Sequence, residues 1–554
     1  MQTNQIVNIV NFIRDVEPRG PVDLVEPVRE QIALMKRRGL RGTFLLQYDA
    51  LIDPVYTDML KELDPAQFEF GVWFEIVEPQ CEAAGIPWTG RFPWDWHAHC
   101  GFSVGYTKPE REKLADVLFV KFREVFGSYP RVFGSWFFDS HTVRYLSDKY
   151  GLDALCNCKE QYGTDGYTLW GGFYGQAYYP SRTNVFMPAQ TEEEKIPAPL
   201  FRMLGSDPVY QYDFGMSAEN GASKVQGVIT LEPVYNGRGG GVPEWVDWFM
   251  KENYNGDCLS FGYAQAGQEN SFGWPGMKNG IEYQFALFEK LAAEGKITVE
   301  PIGETGRRFK ETWDSTPPSA ITARTAFDDP EKNSVWYSTK DYRINLYADH
   351  GPFRVRDLHV FDERVKDPFE DRVCESNEAA YETLPLADGN RHTGGGTVAG
   401  IRITGRDGKE IPAGPMTFED LGNGAARAGY GAFSVLLKED GFAVESDRDF
   451  RLIYRFGKTD DHFPALVERT EKELLLTADG AVYGLSLTAG RFRSPVAAES
   501  ENGRIECRIV RKHEEKELFP LMPHAVKDAL ASSLLKAVRN WKTEQQSSGT
   551  GKQD

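Results

Sequence analysis

The sequence predicts an α/β protein: a (β/α)7-type barrel over residues 1–315, an antiparallel β-sandwich over 316–515, a C-terminal helix over 516–542 and a disordered tail over 543–554. Three observations carry this expectation. Short apolar runs alternate with segments of helical periodicity through roughly the first 300 residues, which is how a β/α layer or barrel reads. Several of those runs end on a carboxylate. Past Thr316-Pro-Pro-Ser319 the pattern changes to short strands of period two, separated by Gly, Asp and Asn turns, as in a β-sandwich. A chain of 554 residues is also too long for one ordinary hydrophobic core.

In order along the chain, residues 6–13 read as the first strand, closing on Arg14-Asp15-Val16-Glu17. Val25, Val28, Ile32 and Met35 follow at helical spacing. A second strand covers 42–47 and a third covers 68–75, ending on Glu75. An insertion over 76–106 carries Trp88, Trp94, Trp96, His97 and His99, and a helix over 109–126 follows it. The run from Val132 to Phe138 ends abruptly on Asp139. Two readings of that acid stand side by side: a catalytic group delivered by a strand end, or the N-cap of a helix over 143–150. A strand over 152–158 leads into a Gly- and Tyr-rich stretch over 161–211, long enough for a connection to be functional. Strands over 227–232 and 258–264, helices over 245–252 and 281–294, and the run 297–302 complete about seven strand–helix units. Beyond 316, strands are expected around Val335, Ile344, Val355 and Leu452, and Val526, Leu530, Leu534 and Val538 make one helical face.

Composition narrows the partner. A formal net charge of −19 argues against nucleic acid or an anionic membrane, since both need a basic footprint. The first ten residues lack the pattern of a signal peptide and no apolar run approaches a membrane span. The expectation is therefore a soluble cytoplasmic protein with a small-molecule or polymer substrate, its oligomeric state left open. Seven cysteines, an odd number scattered over the chain, do not suggest a disulfide framework.

Strand-end acids carry the chemistry. If the strands are parallel, Asp15, Glu75, Asp139, Glu232 and Glu269 converge at one mouth. Glycoside hydrolysis needs such a carboxylate pair, one protonated and one charged, and crowding plus burial drives their proton affinities apart. Sugar rings favour aromatic platforms, and Trp73, Trp94, Trp96, Trp136 and Trp274 lie in or beside the expected mouth. Expected substrate contacts are these rings with Asp15, His97, His99 and Glu232. His97 and His99, with Asp15, are also the one plausible divalent-metal set. The primary expectation is no metal and no cofactor.

Gly42-Thr-Phe-Leu-Leu and Gly134-Ser-Trp-Phe-Phe-Asp139 resemble blocks of the superfamily that joins family 57 and family 38 glycoside hydrolases with polysaccharide deacetylases. That resemblance covers residues 5–315 and implies a (β/α)7 barrel, with Asp139 as nucleophile and an acid/base from a later strand, where Gln268-Glu269-Asn270 is nearest. The deacetylases' histidine pair after the third strand is missing from Gly71-Val-Trp-Phe-Glu-Ile-Val-Glu78, and their paired aspartates after the first strand are reduced to Asp15. The expected function is a glycoside hydrolase in which Asp139 attacks or stabilises the anomeric carbon and Glu75 or Glu269 protonates the leaving oxygen. The rivals are a metal-dependent carbohydrate deacetylase and a catalytically silent carbohydrate-binding protein.

Overall fold

A computed structural model describes residues 4–217, 219 and 226–512. The helix and tail expected over 516–554 lie outside the described residues. The first sheet has nine strands, seven of which form its parallel path: β1 (Gln5–Ile13), β2 (Gly42–Leu46), β3 (Phe68–Trp73), β4 (Val132–Gly134), β5 (Ala154–Asn157), β6 (Leu200–Arg202) and β7 (Gly262–Ala266); Thr298–Val299 adds in parallel beside β1 and Ala177–Tyr178 antiparallel beside β6. The spatial order of the seven is β7-β1-β2-β3-β4-β5-β6, with every neighbouring pair parallel. Between β6 and β7 the curled sheet has no ladder. There the stretch expected to be a strand over 227–232 makes one bridge, Ser206 to Thr230, and donates Leu231 N–H to Leu204.

The period-two side-chain alternation of each strand divides the barrel into two cores. Ile6, Val10 and Phe12 of β1, Leu45 of β2, Trp73 of β3, Val132 of β4, Cys156 of β5, Phe201 of β6 and Tyr263 of β7 share one interior cluster. The alternate residues, Val7, Ile9, Phe44, Val72, Phe133, Leu155 and Leu200, pack outward with the surrounding helices. The helix Val25–Arg38 is closed by left-handed Gly39, and Lys108–Phe126 opens with a Thr107/Glu110 capping box. The helix expected over 281–294 begins earlier, at Trp274, because Pro275 sits in its first turn, where a missing N–H costs nothing.

The second domain is two antiparallel sheets, one running from Ser319–Ala323 to Arg491–Ser494 and the other from Met416–Gly422 to Ala465–Arg469. Val335, Ile344, Val355, Val435, Val444 and Tyr483 fill the space between them. The expected barrel followed by a sandwich is the architecture seen. The domains are interlocked: Ala379–Glu382 of the second pairs in parallel with Tyr167–Trp170, the outer strand of a hairpin in the stretch read as a long loop. Tyr174 stacks on Trp336 at 3.7 Å across the joint, and the buried Arg343 holds Asp357 bidentately at 2.8 and 2.9 Å and Glu160 of the barrel at 3.1 Å.

Gly134 lies where β4 passes closest to its neighbours. A Cβ there would come within 2.7 Å of Leu45, 2.8 Å of Trp73 and 2.9 Å of Cys156. Gly134→Ala is therefore expected to cost about 1–3 kcal/mol through overpacking, read as a lower urea midpoint with unchanged slope.

Candidate active site

Pleat parity decides which residues enter the mouth at the carboxyl ends of the strands. Phe12 faces the barrel interior, so two residues later Arg14 does too, whereas Asp15 points away. Trp73 faces inward, and so, two residues on, does Glu75. Arg14 is 2% exposed. Its Nη2 donates to Glu269 at 2.7 Å and to Glu75 at 3.1 Å. Its guanidinium lies 4.0 Å over the ring of buried Trp94. Glu269 is held in place by its neighbour: Asn270 accepts from the Arg14 backbone N–H at 3.0 Å and donates back to the Arg14 carbonyl at 2.8 Å. Trp73 donates its indole N–H to Glu75 at 2.8 Å.

Glu232 enters from the stretch beside β6. It accepts from Thr230 at 2.8 Å and from the Gln268 amide at 3.2 Å, both neutral donors. Burial, with no cation to oppose it and Glu269 nearby, pushes its carboxyl up to about 7. Glu75 is also raised: burial outweighs the Arg14 guanidinium, and Glu269 adds to the rise. The mouth thus holds three carboxylates in unlike settings. Two share a guanidinium and one has only neutral hydrogen bonds.

The rings separate into supports and surfaces. Trp73 is buried and stacked on Phe12 at 4.1 Å, Trp94 lies under Arg14, and Trp274 belongs to the helix–sheet core. Trp136 and Trp96 are only half-buried. Trp136 stands edge-on to Phe12 and Trp73 at 5.3 Å and stacks on Tyr167 at 6.4 Å, while Trp96 stacks with exposed Phe92 at 6.4 Å. These two tryptophans keep surface for a flat apolar ligand face.

Asp15, turned outward, has its backbone N–H on buried Asp49 at 3.0 Å, and burial raises both carboxyls, Asp49 to about 7. His97 lies beside Trp96 and His99, and its Nδ1 is 3.8 Å from Asp95. Burial lowers its proton affinity. His97 and His99 are neighbours but Asp15 is not in contact with either, and among the described residues no three His, Cys, Asp or Glu side chains are arranged to hold a metal. The residues expected to bind a divalent ion do not fit one, because the pleat sends Asp15 to the wrong side.

Asp139 is fully buried five residues beyond β4. One oxygen takes Arg111 at 3.0 Å and the Thr142 N–H at 2.9 Å, and the other takes Ser103 at 2.5 Å. It caps the helix Ser140–Tyr150. Despite burial, these partners hold its carboxyl below the usual range. Arg111 in turn donates to the carbonyls of Phe369 and Arg372 in the second domain. None of these partners touches Glu75 or Glu269 among the described residues, so the structure gathers Glu75, Glu232 and Glu269 but does not link Asp139 to them.

No family model matches the sequence, and no curated protein matches it. Among solved structures, a candidate glycoside hydrolase/deacetylase from Parabacteroides distasonis aligns at 16% identity over 69% of this chain and 91% of that one, with a TM-score of 0.52. The likeness is one of fold. A candidate polysaccharide deacetylase from Mycobacterium smegmatis aligns at 11% identity over 56% of this chain and 92% of that one, TM-score 0.35. A GH57 branching enzyme from Thermococcus kodakaraensis aligns at 11% identity over 57% and 72%, TM-score 0.27. No helix among the described residues is long and apolar enough to cross a membrane.

Asp139→Ala would leave Arg111 as a buried unpaired cation and remove a helix cap. The expected loss is about 3–5 kcal/mol of unfolding free energy, measured by urea titration; a loss below about 1 kcal/mol would contradict the structural role.

Proposed function

We propose that this protein is a carbohydrate-acting hydrolase that cleaves a glycosidic bond at the barrel mouth. Glu232 is the general acid, and the Arg14-held carboxylates Glu269 and Glu75 supply the negative charge facing the anomeric carbon. The observation that carries the reading is the split environment of these acids. Glu232 keeps a proton near neutrality because it is buried with no cation touching it, whereas Glu269 and Glu75 each accept a hydrogen bond from the Arg14 guanidinium. A glycosidase needs this division: a proton for the departing oxygen and an anion for the positive charge that builds on the sugar ring. Trp136 and Trp96 offer surfaces on which a sugar can stack. Asp139 serves the fold in this reading, since it is fully buried and its hydrogen bonds come from Arg111, Thr142 and Ser103.

The proton moves from Glu232 to the leaving oxygen as the bond to the anomeric carbon breaks. Water then adds to that carbon and returns a proton to the Glu232 carboxylate. Arg14 offsets part of the charge of Glu75 and Glu269, which makes their joint burial tolerable. It also holds them in place, so no reorganisation is needed when charge develops.

The test is hydrolysis of a panel of 4-nitrophenyl α- and β-glycosides, with and without a chelator, alongside acetate release from N-acetylated and O-acetylated sugars. Glu232→Gln and Glu269→Gln should each lower kcat/KM on the best glycoside by about 10²–10⁴-fold. Because the active form carries the Glu232 proton, kcat/KM should fall as pH rises through about 7. A wild type that releases acetate but never 4-nitrophenol would overturn the reading.

A further inference from the structure

The mouth has a cover that the reading above does not use. Gln161–Thr164 and Tyr167–Trp170 form a hairpin joined by two residues, Asp165 and Gly166, with φ of 47° and 82°. Positive φ at both central positions is the type I′ turn that suits the twist of a two-residue hairpin. The tip is seated against the insertion: a Cβ on Gly166 would lie 2.5 Å from the Trp96 carbonyl oxygen and 2.9 Å from that of Asn377. The Gly166 carbonyl accepts from Ala379 N–H at 2.9 Å, and the ladder with Ala379–Glu382 fixes the adjoining strand. The next residue, Tyr167, stacks on Trp136 at the mouth. Asp165 is thus held at the rim by both domains, between the two half-buried tryptophans. Its side chain is exposed and makes no hydrogen bond or ion pair among the described residues.

We propose that Asp165 is a roof residue of the site, a carboxylate held over the mouth to accept hydrogen bonds from sugar hydroxyls and to place a further negative charge near Glu232. This inference rests on the glycosidase reading for its ligand but not for its placement. The charge of Asp165 acts on Glu232, Glu75, Arg19 and Tyr235, which enter the mouth from four different segments. Other charged groups facing Glu232 are Glu269, on the segment after β7, and, through Glu269, Arg14 after β1. Glu17 is not free to compete, since Arg19 holds it at 2.6 and 2.8 Å. Asp165 is exposed at the rim and none of its oxygens is taken up by a hydrogen bond among the described residues. With respect to Glu232 it is a positioning residue.

Asp165→Asn tests the idea cleanly, because Asn adopts positive φ as readily as Asp and the turn is preserved. Glu232 is followed by carbon-13 NMR of carboxyl-labelled protein, its signal assigned by its loss in Glu232→Gln. In Asp165→Asn, Glu232 should titrate at lower pH than in the wild type, and this difference should shrink between about 0.01 M and about 1 M salt, as expected of a through-space effect. With the fastest 4-nitrophenyl glycoside, KM should rise by about tenfold, the scale of a hydrogen bond to a charged group, and the alkaline limb of kcat/KM should move to lower pH. An unshifted Glu232, or an unchanged KM, overturns the inference even if Glu232→Gln has already confirmed the glycosidase. A protein with no glycosidase activity whose Glu232 still shifts in Asp165→Asn refutes the reaction and leaves the placement of Asp165 standing. Asp165→Gly, which also accepts the turn, should reproduce the NMR shift.

Discussion

The mouth of this barrel depends on one guanidinium shared by two acids. Glu75 and Glu269 are both buried, and two carboxylates so enclosed resist simultaneous ionisation unless a cation lies between them. Arg14 supplies it, at the cost of its own desolvation, and the stack on Trp94 together with the reciprocal Asn270 bonds holds that cation in place. Its Nε and Nη1 are buried without a hydrogen-bond acceptor. A buried donor without a partner is costly, and at the mouth of a barrel the N–H groups on those two nitrogens are available to whatever oxygen enters. Everything else in the site follows from where this one side chain can be placed.

That placement is a matter of counting by two. Residues 6–13 are legible as a strand from their apolar content, and the acids after the third strand and near the seventh are legible as strand-end groups; Glu75, Glu232 and Glu269 do meet. What the pattern of residue types hides is the pleat. Attention goes to Asp15 because it is an acid, yet Phe12 and Trp73 belong to the interior, and stepping two from each arrives at Arg14 and Glu75. Asp139 shows a different ambiguity: a strand-end acid and an N-cap have the same local spelling, and the Arg111 that settles the matter lies 28 residues away. β6 escapes notice because three residues, Leu200–Arg202, are too few to show a period. Asp165 could have been found, since Thr-Asp-Gly-Tyr carries the Asp-Gly of a two-residue hairpin, but nothing local says that the hairpin lies over the mouth.

The joint between the domains is chemically unlike either core. It is built from buried charge, with Arg343 between Asp357 and Glu160, and Arg111 between Asp139 and two carbonyls of the second domain. Such contacts are directional where hydrophobic ones are not, so they fix the angle at which the sandwich meets the barrel. That precision matters because the rim of the mouth is assembled at this joint.

The Pro-Pro at 317–318 looks like the place to divide the protein, and the hairpin ladder shows that it is not. A strand from one side of that boundary completes a sheet begun on the other. A barrel severed there would carry a naked edge next to its own entrance, so the smallest fragment able to keep the entrance intact spans both halves. For evolution this means the sandwich cannot be exchanged like an appended module. Any replacement would have to bring its own partner for Tyr167–Trp170.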